Sequence, residues 1–150
     1  MTAAGVPMII AKGDKPDILL RLFDGEIHGT YFVPRKKKLA RRKCWIAYTL
    51  TPKGVLTLDD GASRALASNG KSLLPSGIVD VDGDFGVGAA VALQNRKGEI
   101  LGIGLVNYSA AAIRSIKGLK SSHIKTRLGE KPYDEVIHRD NLVITDTLEM

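Results

Sequence analysis

Cysteine is nearly absent from this chain: Cys44 stands alone among 150 residues. A single thiol excludes an internal disulfide framework and any multi-cysteine metal site, and a reducing cytoplasm suits it best. Aromatic residues are scarce as well, at 5%, which works against an extended base-stacking surface. No apolar run approaches the ~18 residues of a membrane span, so no membrane partner is expected. Ala3 to Ala11 is mildly apolar but lacks a basic flank before it, which argues against a signal peptide. What is present is ordinary globular material, 44% hydrophobic and 25% charged. The length suffices for one domain, or for a module of about 80 to 100 residues with an appendage.

The net charge of +6 is concentrated, not general. Arg35, Lys36, Lys37, Lys38, Arg41, Arg42 and Lys43 place seven cations within nine positions. Outside them, 15 basic residues face 16 acidic ones, a net of −1. Such a run attracts polyanions through counterion release. A solvated linker is the commoner explanation, because charge runs are usually surface solubilisers.

Along the chain, Pro7-Met8-Ile9-Ile10-Ala11 has the pattern of a strand buried on both faces in a parallel sheet. Ile18, Leu19, Leu22 and Phe23 then fall at helical spacing, and Gly25 stops that helix. A lone strand and helix of this kind read as the torn edge of a larger α/β domain. Gly29 to Pro34 is extended. After the basic run, Cys44-Trp45-Ile46-Ala47-Tyr48 predicts a strand rich in aromatic and β-branched residues. From Val55 the texture changes to short strands at Val55–Asp59, Ile78–Val81, Ala90–Gln94 and Ile100–Tyr108, separated by glycine turns. That spacing indicates a small barrel, with Val136–His138 and Leu142–Ile144 as material to close it. Brief helices are expected at Ser63–Ser68, Ala110–Ile116 and Ser122–Leu128.

Several short motifs fall away on inspection. Gly70-Lys71-Ser72 resembles the end of a phosphate-binding P-loop, but Ala65 stands where the first glycine belongs and a helix precedes it where a strand should. Asp84-Phe85-Gly86 and His138-Arg139-Asp140 match kinase tripeptides without their companion elements, and read as turns. Gly83, Gly86 and Gly88 are explained by positive φ or close backbone approach. His28, His123 and His138 have no second ligand at metal spacing, so no metal site is expected. The binding candidates are Lys36, Lys37, Lys38, Arg41, Arg42 and Lys43, with Arg64 and Lys71 at the two ends of the Ser63–Ser68 helix. These are candidate nucleic-acid contacts, with Trp45 and Tyr48 as stacking partners.

The segment Asp59 to Phe85, followed by Gly102-Ile103-Gly104-Leu105-Val106-Asn107-Tyr108-Ser109, resembles the PUA domain, a small pseudo-barrel. Four motifs resemble, in order, the carboxyl end of the bacterial glutamate 5-kinase family. They are Gly29-Thr30-x-Phe32, Arg42-Lys43-x-Trp45-Ile46, Gly70-Lys71-Ser72-Leu73-Leu74-Pro75-x-Gly77-Ile78 and His138-Arg139-Asp140-Asn141. The resemblance implies an α+β, mainly β fold: a PUA-like pseudo-barrel preceded by a strand-helix remnant of an α/β kinase domain. It implies a kinase-domain remnant over 1–34, a basic linker and first strand over 35–52, and a PUA domain over 53–150. The family phosphorylates the side-chain carboxylate of L-glutamate with ATP, towards proline. Its ATP and magnesium sites lie, by resemblance, in the upstream domain, so no catalytic or cofactor residue is expected in this chain. The implied partner is the rest of the kinase domain in a cytoplasmic parent protein. Regulation or assembly is the expected role; homo-oligomerisation and RNA binding stay open beside it.

Overall fold

The computed structural model describes residues 6–33 and 40–144. The chain divides into two compact units, Met1–Cys44 and Trp45–Met150.

In the first unit, β1 (Met8–Ile10) and β2 (Thr30–Phe32) flank the helix α1 (Ile18–Phe23). The expected parallel, doubly buried strand is corrected here. β1 pairs antiparallel with β2, Ile9 opposite Tyr31, and Ile9 and Ile10 are exposed. A two-stranded ribbon has no inner strand and no second layer to hide such a run. Helix α1 forms where its apolar spacing predicts, and Gly25 follows at φ +88. The Glu26 carboxylate accepts from His28 Nε2 and from Arg21 Nε, each at 2.7 Å. Those two hydrogen bonds, His28 first, hold its carboxyl below the ordinary glutamate value.

Helix α2 (Arg41–Thr49) replaces the strand expected at Cys44–Tyr48. Ile46 and Ala47 of the helix, with Leu50 just after its end, pack in a small cluster with Ala90, Leu105 and Val143. That burial, with helix-favouring Arg, Lys and Ala around it, overrides the β preference of Trp, Ile and Tyr. Trp45 and Tyr48 lie half exposed on the helix.

The second unit is α+β. Its mixed sheet comprises β3 (Gly54–Leu58), β4 (Ile78–Gly83), β5 (Ala90–Gln94), β6 (Ile100–Leu105) and β7 (Leu142–Ile144), in the order β4-β3-β5-β6-β7. Only β3 and β5 run parallel; the other neighbours are antiparallel. Alternation sorts the faces: Val91 and Leu93 enter the main core, while Ala90 joins the cluster that seats Ile46. Helices α3 (Asp60–Asn69), α4 (Ala110–Ile116) and α5 (Ile124–Leu128) contribute Leu66, Ile113, Ile116 and Ile124 to the main core. Ser109 caps α4, its side chain accepting from the Ala112 N–H. Of the barrel-closing material, Leu142–Ile144 becomes β7 on β6, whereas Ile137 forms an isolated bridge to Leu73. Gly102 sits so close to the Val143 carbonyl that any Cβ would overlap it, which is how β7 reaches β6. Gly83 and Gly88 have positive φ as expected, but Gly86 has neither positive φ nor a close neighbour.

Candidate functional site

The second unit carries a notch of about 680 Å³ between α3, the loop after it, and the turn before β7. Asp59 is its first structural element. Its backbone is extended, and its carboxylate accepts from the Ala62 N–H at 2.6 Å, satisfying a donor that the first helical turn leaves free. At the far end, Gly70 stops α3 in the left-handed region at φ +53, which a glycine adopts without strain.

The chain then turns back through Lys71, Ser72 and Leu73. Leu73 is buried and holds the loop down: its N–H donates to the Ile137 carbonyl at 2.8 Å, and its carbonyl accepts from Val136 at 2.8 Å. This bridge delivers His138 and Arg139 to the notch, and the Arg139 N–H donates to Ser72 Oγ at 3.0 Å. A one-turn 3-10 helix, Pro75–Gly77, completes the wall. The Gly77 carbonyl accepts from the Asp59 N–H at 3.0 Å, and a Cβ at Gly77 would fall inside 3.0 Å of the Ala62 Cβ. Space, not backbone conformation, therefore requires glycine at 77.

Donors dominate the polar lining. Among the described residues, the Lys71 amine has no hydrogen-bond or ion-pair partner. The nearest charge to Arg139 is its neighbour Asp140, at 4.0 Å from Nε, which is too long for a hydrogen bond. His138 Nδ1 faces Asp140, 3.2 Å from its N–H and 3.5 Å from its carboxylate, while Nε2 is the other polar atom of the ring. Ser72 Oγ accepts from Arg139 and keeps its own hydrogen to give. The one carboxylate in the lining, Asp59, is engaged as the α3 cap. The floor is apolar, with Ala62, Ala65 and Leu66 from α3.

The sequence candidates scatter. Lys36, Lys37 and Lys38 lie outside the described residues, as does the side chain of Arg41. Arg42 is exposed and Lys43 half-buried, both at the start of α2. Arg64 is exposed on α3, its Nε donating to the Asp60 carbonyl at 3.1 Å, and it does not line the notch. Lys71 does. His138 and Arg139, read in sequence as a surface turn, are the lining residues that sequence reasoning missed. Their recurrence among the four ordered family motifs was the available signal. Among the described residues, no group of three or more His, Cys, Asp or Glu stands close enough to hold a metal ion. No described helix is long and apolar enough to cross a membrane.

Outside the notch, Lys117 at the end of α4 reaches Asp80 on β4, Nζ to Oδ1 at 2.9 Å. That hydrogen bond, followed by one from the Val81 backbone, holds the Asp80 carboxyl below the ordinary aspartate value.

Residues 54–128 match the family model of the PUA domain. Over 144 residues the chain is 56% identical to the glutamate 5-kinase of Syntrophus aciditrophicus, covering 96% of this chain and 37% of that protein. It is 50% identical to the glutamate 5-kinase of a Synechococcus species, covering 97% of this chain and 39% of the relative. The chain thus spans about two fifths of the length of the glutamate 5-kinases it matches. Among solved structures, a PUA domain from Aeropyrum pernix, crystallised as a tartrate complex, aligns with 25% identity and a TM-score of 0.44. That alignment covers 58% of this chain and 41% of the other.

Proposed function

This chain belongs to the PUA domain family, and from that membership we propose that it is a regulatory or assembly module of a glutamate 5-kinase, without phosphotransferase activity of its own. One observation carries the reading. Homology to glutamate 5-kinases extends over nearly the whole chain yet accounts for about two fifths of theirs. In this reading glutamate, ATP and magnesium bind in the part of the kinase that the match leaves out. The module biases that domain's response to the pathway end product, proline, by favouring one of its conformational states.

The first unit supports the same reading. Phe23 is 90% exposed and Ile27 88% exposed, beside exposed Ile9, Ile10, Leu19 and Leu20. A cavity of about 300 Å³ opens there between Ile9, Leu19, Leu22, Phe23 and Tyr31. A patch of this kind on a two-stranded ribbon is an unfinished layer. The partner it fits is the remainder of the kinase domain.

The test has two arms. The chain alone should give no glutamate-dependent release of ADP and no glutamyl phosphate trapped by hydroxylamine. A full-length glutamate 5-kinase lacking the segment equivalent to residues 53–150 should keep turnover but change its proline inhibition midpoint or its oligomeric size. Turnover by the chain alone, or a truncated enzyme unchanged in all three measurements, overturns the proposal.

RNA binding is the second reading, and the basic run at positions 35–43 favours it. If about five phosphates are neutralised, log affinity falls with log salt at a slope of roughly −4. Binding that vanishes near physiological salt removes this reading.

A further inference from the structure

We infer that the notch beside α3 is a binding site for a small phosphomonoester with a flat, apolar body, a ligand of mononucleotide size. The inference concerns the second unit alone and stands or falls independently of the kinase reading.

The head group follows from the donor set. Lys71 offers an ammonium with no partner among the described residues, Arg139 a guanidinium and Ser72 a hydroxyl hydrogen, with the His138 ring beside them, all in the lining of one cavity. Three donors, two of them cationic, with an imidazole beside them, suit the three terminal oxygens of a phosphate better than the two of a carboxylate. The Asp59 carboxylate is engaged with the Ala62 N–H at the positive end of α3; the Asp140 carboxylate, 3.5 Å from His138 Nδ1 and 4.0 Å from Arg139 Nε, lies outside the lining.

The body follows from the floor and the size. Ala62, Ala65, Leu66 and Leu74 make the lining partly apolar, which suits an apolar ring. A volume of about 680 Å³ lies within the range of pockets for small organic ligands, roughly 300–1,000 Å³. Charge distribution sets the extent. Outside positions 35–43 the chain carries a net of −1, and exposed Asp80 and Asp82 lie along β4. Among the described residues the cations lining the notch are Lys71 and Arg139, a place for one phosphate; a polynucleotide is the competing occupant that the titration separates.

Titration of the ¹⁵N-labelled chain with AMP, adenosine, inorganic phosphate and a 12-nucleotide single-stranded RNA without terminal phosphates tests this. AMP should saturate, with the largest shifts at residues 59–66, 71–77 and 137–140. Adenosine and inorganic phosphate should each bind at least about tenfold more weakly, since each lacks one half of the contacts. Lys71→Gln and Arg139→Gln should each weaken AMP about tenfold or more. Lys97→Gln, on the β5–β6 turn, should change nothing. Lys71 and Arg139 are exposed, so unchanged thermal unfolding of their variants separates lost contacts from lost fold. No saturable AMP shift, adenosine binding as tightly as AMP, or the RNA binding more tightly than AMP at these residues overturns the inference.

Discussion

Replacing Gly77 by alanine tests the construction of the notch at its tightest point. The added Cβ would fall inside 3.0 Å of the Ala62 Cβ, so the Pro75–Gly77 turn and α3 must separate by roughly 1 Å to restore ordinary contact. Overpacking of this kind costs about 1–3 kcal/mol. The separation also pulls on the Asp59 N–H to Gly77 carbonyl bond at 3.0 Å and on the Asp59 cap, a further ~1 kcal/mol if the cap is disturbed. Against this, alanine restricts the unfolded chain and returns about 0.4–1 kcal/mol. The expected net loss is about 2–3 kcal/mol, a shift in urea midpoint of about 1–2 M for a typical m-value. A double-mutant cycle isolates the cause. Ala62→Gly alone should cost up to about 1 kcal/mol through helix propensity. Combined with Gly77→Ala it removes the atom that is struck, since the next neighbours, Ala62 Cα at 3.7 Å and Leu73 Cδ1 at 3.8 Å, are in ordinary contact. The double variant should therefore be more stable than Gly77→Ala alone, with a coupling of about 2 kcal/mol. Additive losses, or a Gly77→Ala variant within about 0.5 kcal/mol of the parent, refute this account of the wall.

Leu73→Ala empties the position beneath the loop and should cost about 2–5 kcal/mol by urea denaturation, with loss of amide protection at Leu73 and Ile137. Tyr108→Phe removes the hydroxyl that donates to the Tyr133 carbonyl and accepts from the Tyr133 N–H at 3.1 Å; a loss of about 1–2 kcal/mol is expected in thermal unfolding. Asp80 should titrate by NMR below the ordinary aspartate value, and Lys117→Met should raise its midpoint towards that value. The folded-state pKa is depressed, so the pair's stabilisation is present above the unfolded aspartate pKa. It is lost as pH falls through the folded one, and Lys117→Met should flatten that part of the acid-unfolding curve.

Local signals were legible wherever a segment's own chemistry decided its structure. The β-branched and apolar run Ala90–Gln94 and the helix Ala110–Ile116 form with the bounds their sequences indicate, the helix between the Ser109 cap and Gly118. Cys44–Tyr48 misled because Trp, Ile and Tyr favour strands on a half-buried sheet, yet here Ile46 alone is fully buried and its partners fall at helical spacing. Met8–Ile10 misled because a continuous apolar run reports burial expected, not burial achieved. At the site, Lys71 was legible as a cation at a helix end. Arg139 was not, because its place depends on a hydrogen bond to Ser72 across 67 positions and on the Leu73–Ile137 bridge. No local pattern encodes that pairing.

Within the second unit the notch is linked to Ile46 by contiguous elements. Arg139–Asn141 is a one-turn 3-10 helix that runs directly into β7, and Val143 on β7 packs in the cluster that seats Ile46 of α2. A ligand held by Arg139 would therefore bear on the strand against which Ile46 packs. Contiguity alone does not establish coupling; a shifted equilibrium does. If the proposed regulation by proline holds, AMP should shift the proline midpoint of a full-length glutamate 5-kinase, and the equivalent of Ile46→Ala should abolish that shift while leaving AMP affinity at the notch within about twofold. Arg139→Gln should instead weaken AMP binding and shift the response to higher AMP without abolishing it at saturation. If Ile46→Ala leaves the response intact, or reduces it only by lowering AMP affinity, then β7 and α2 do not carry the signal.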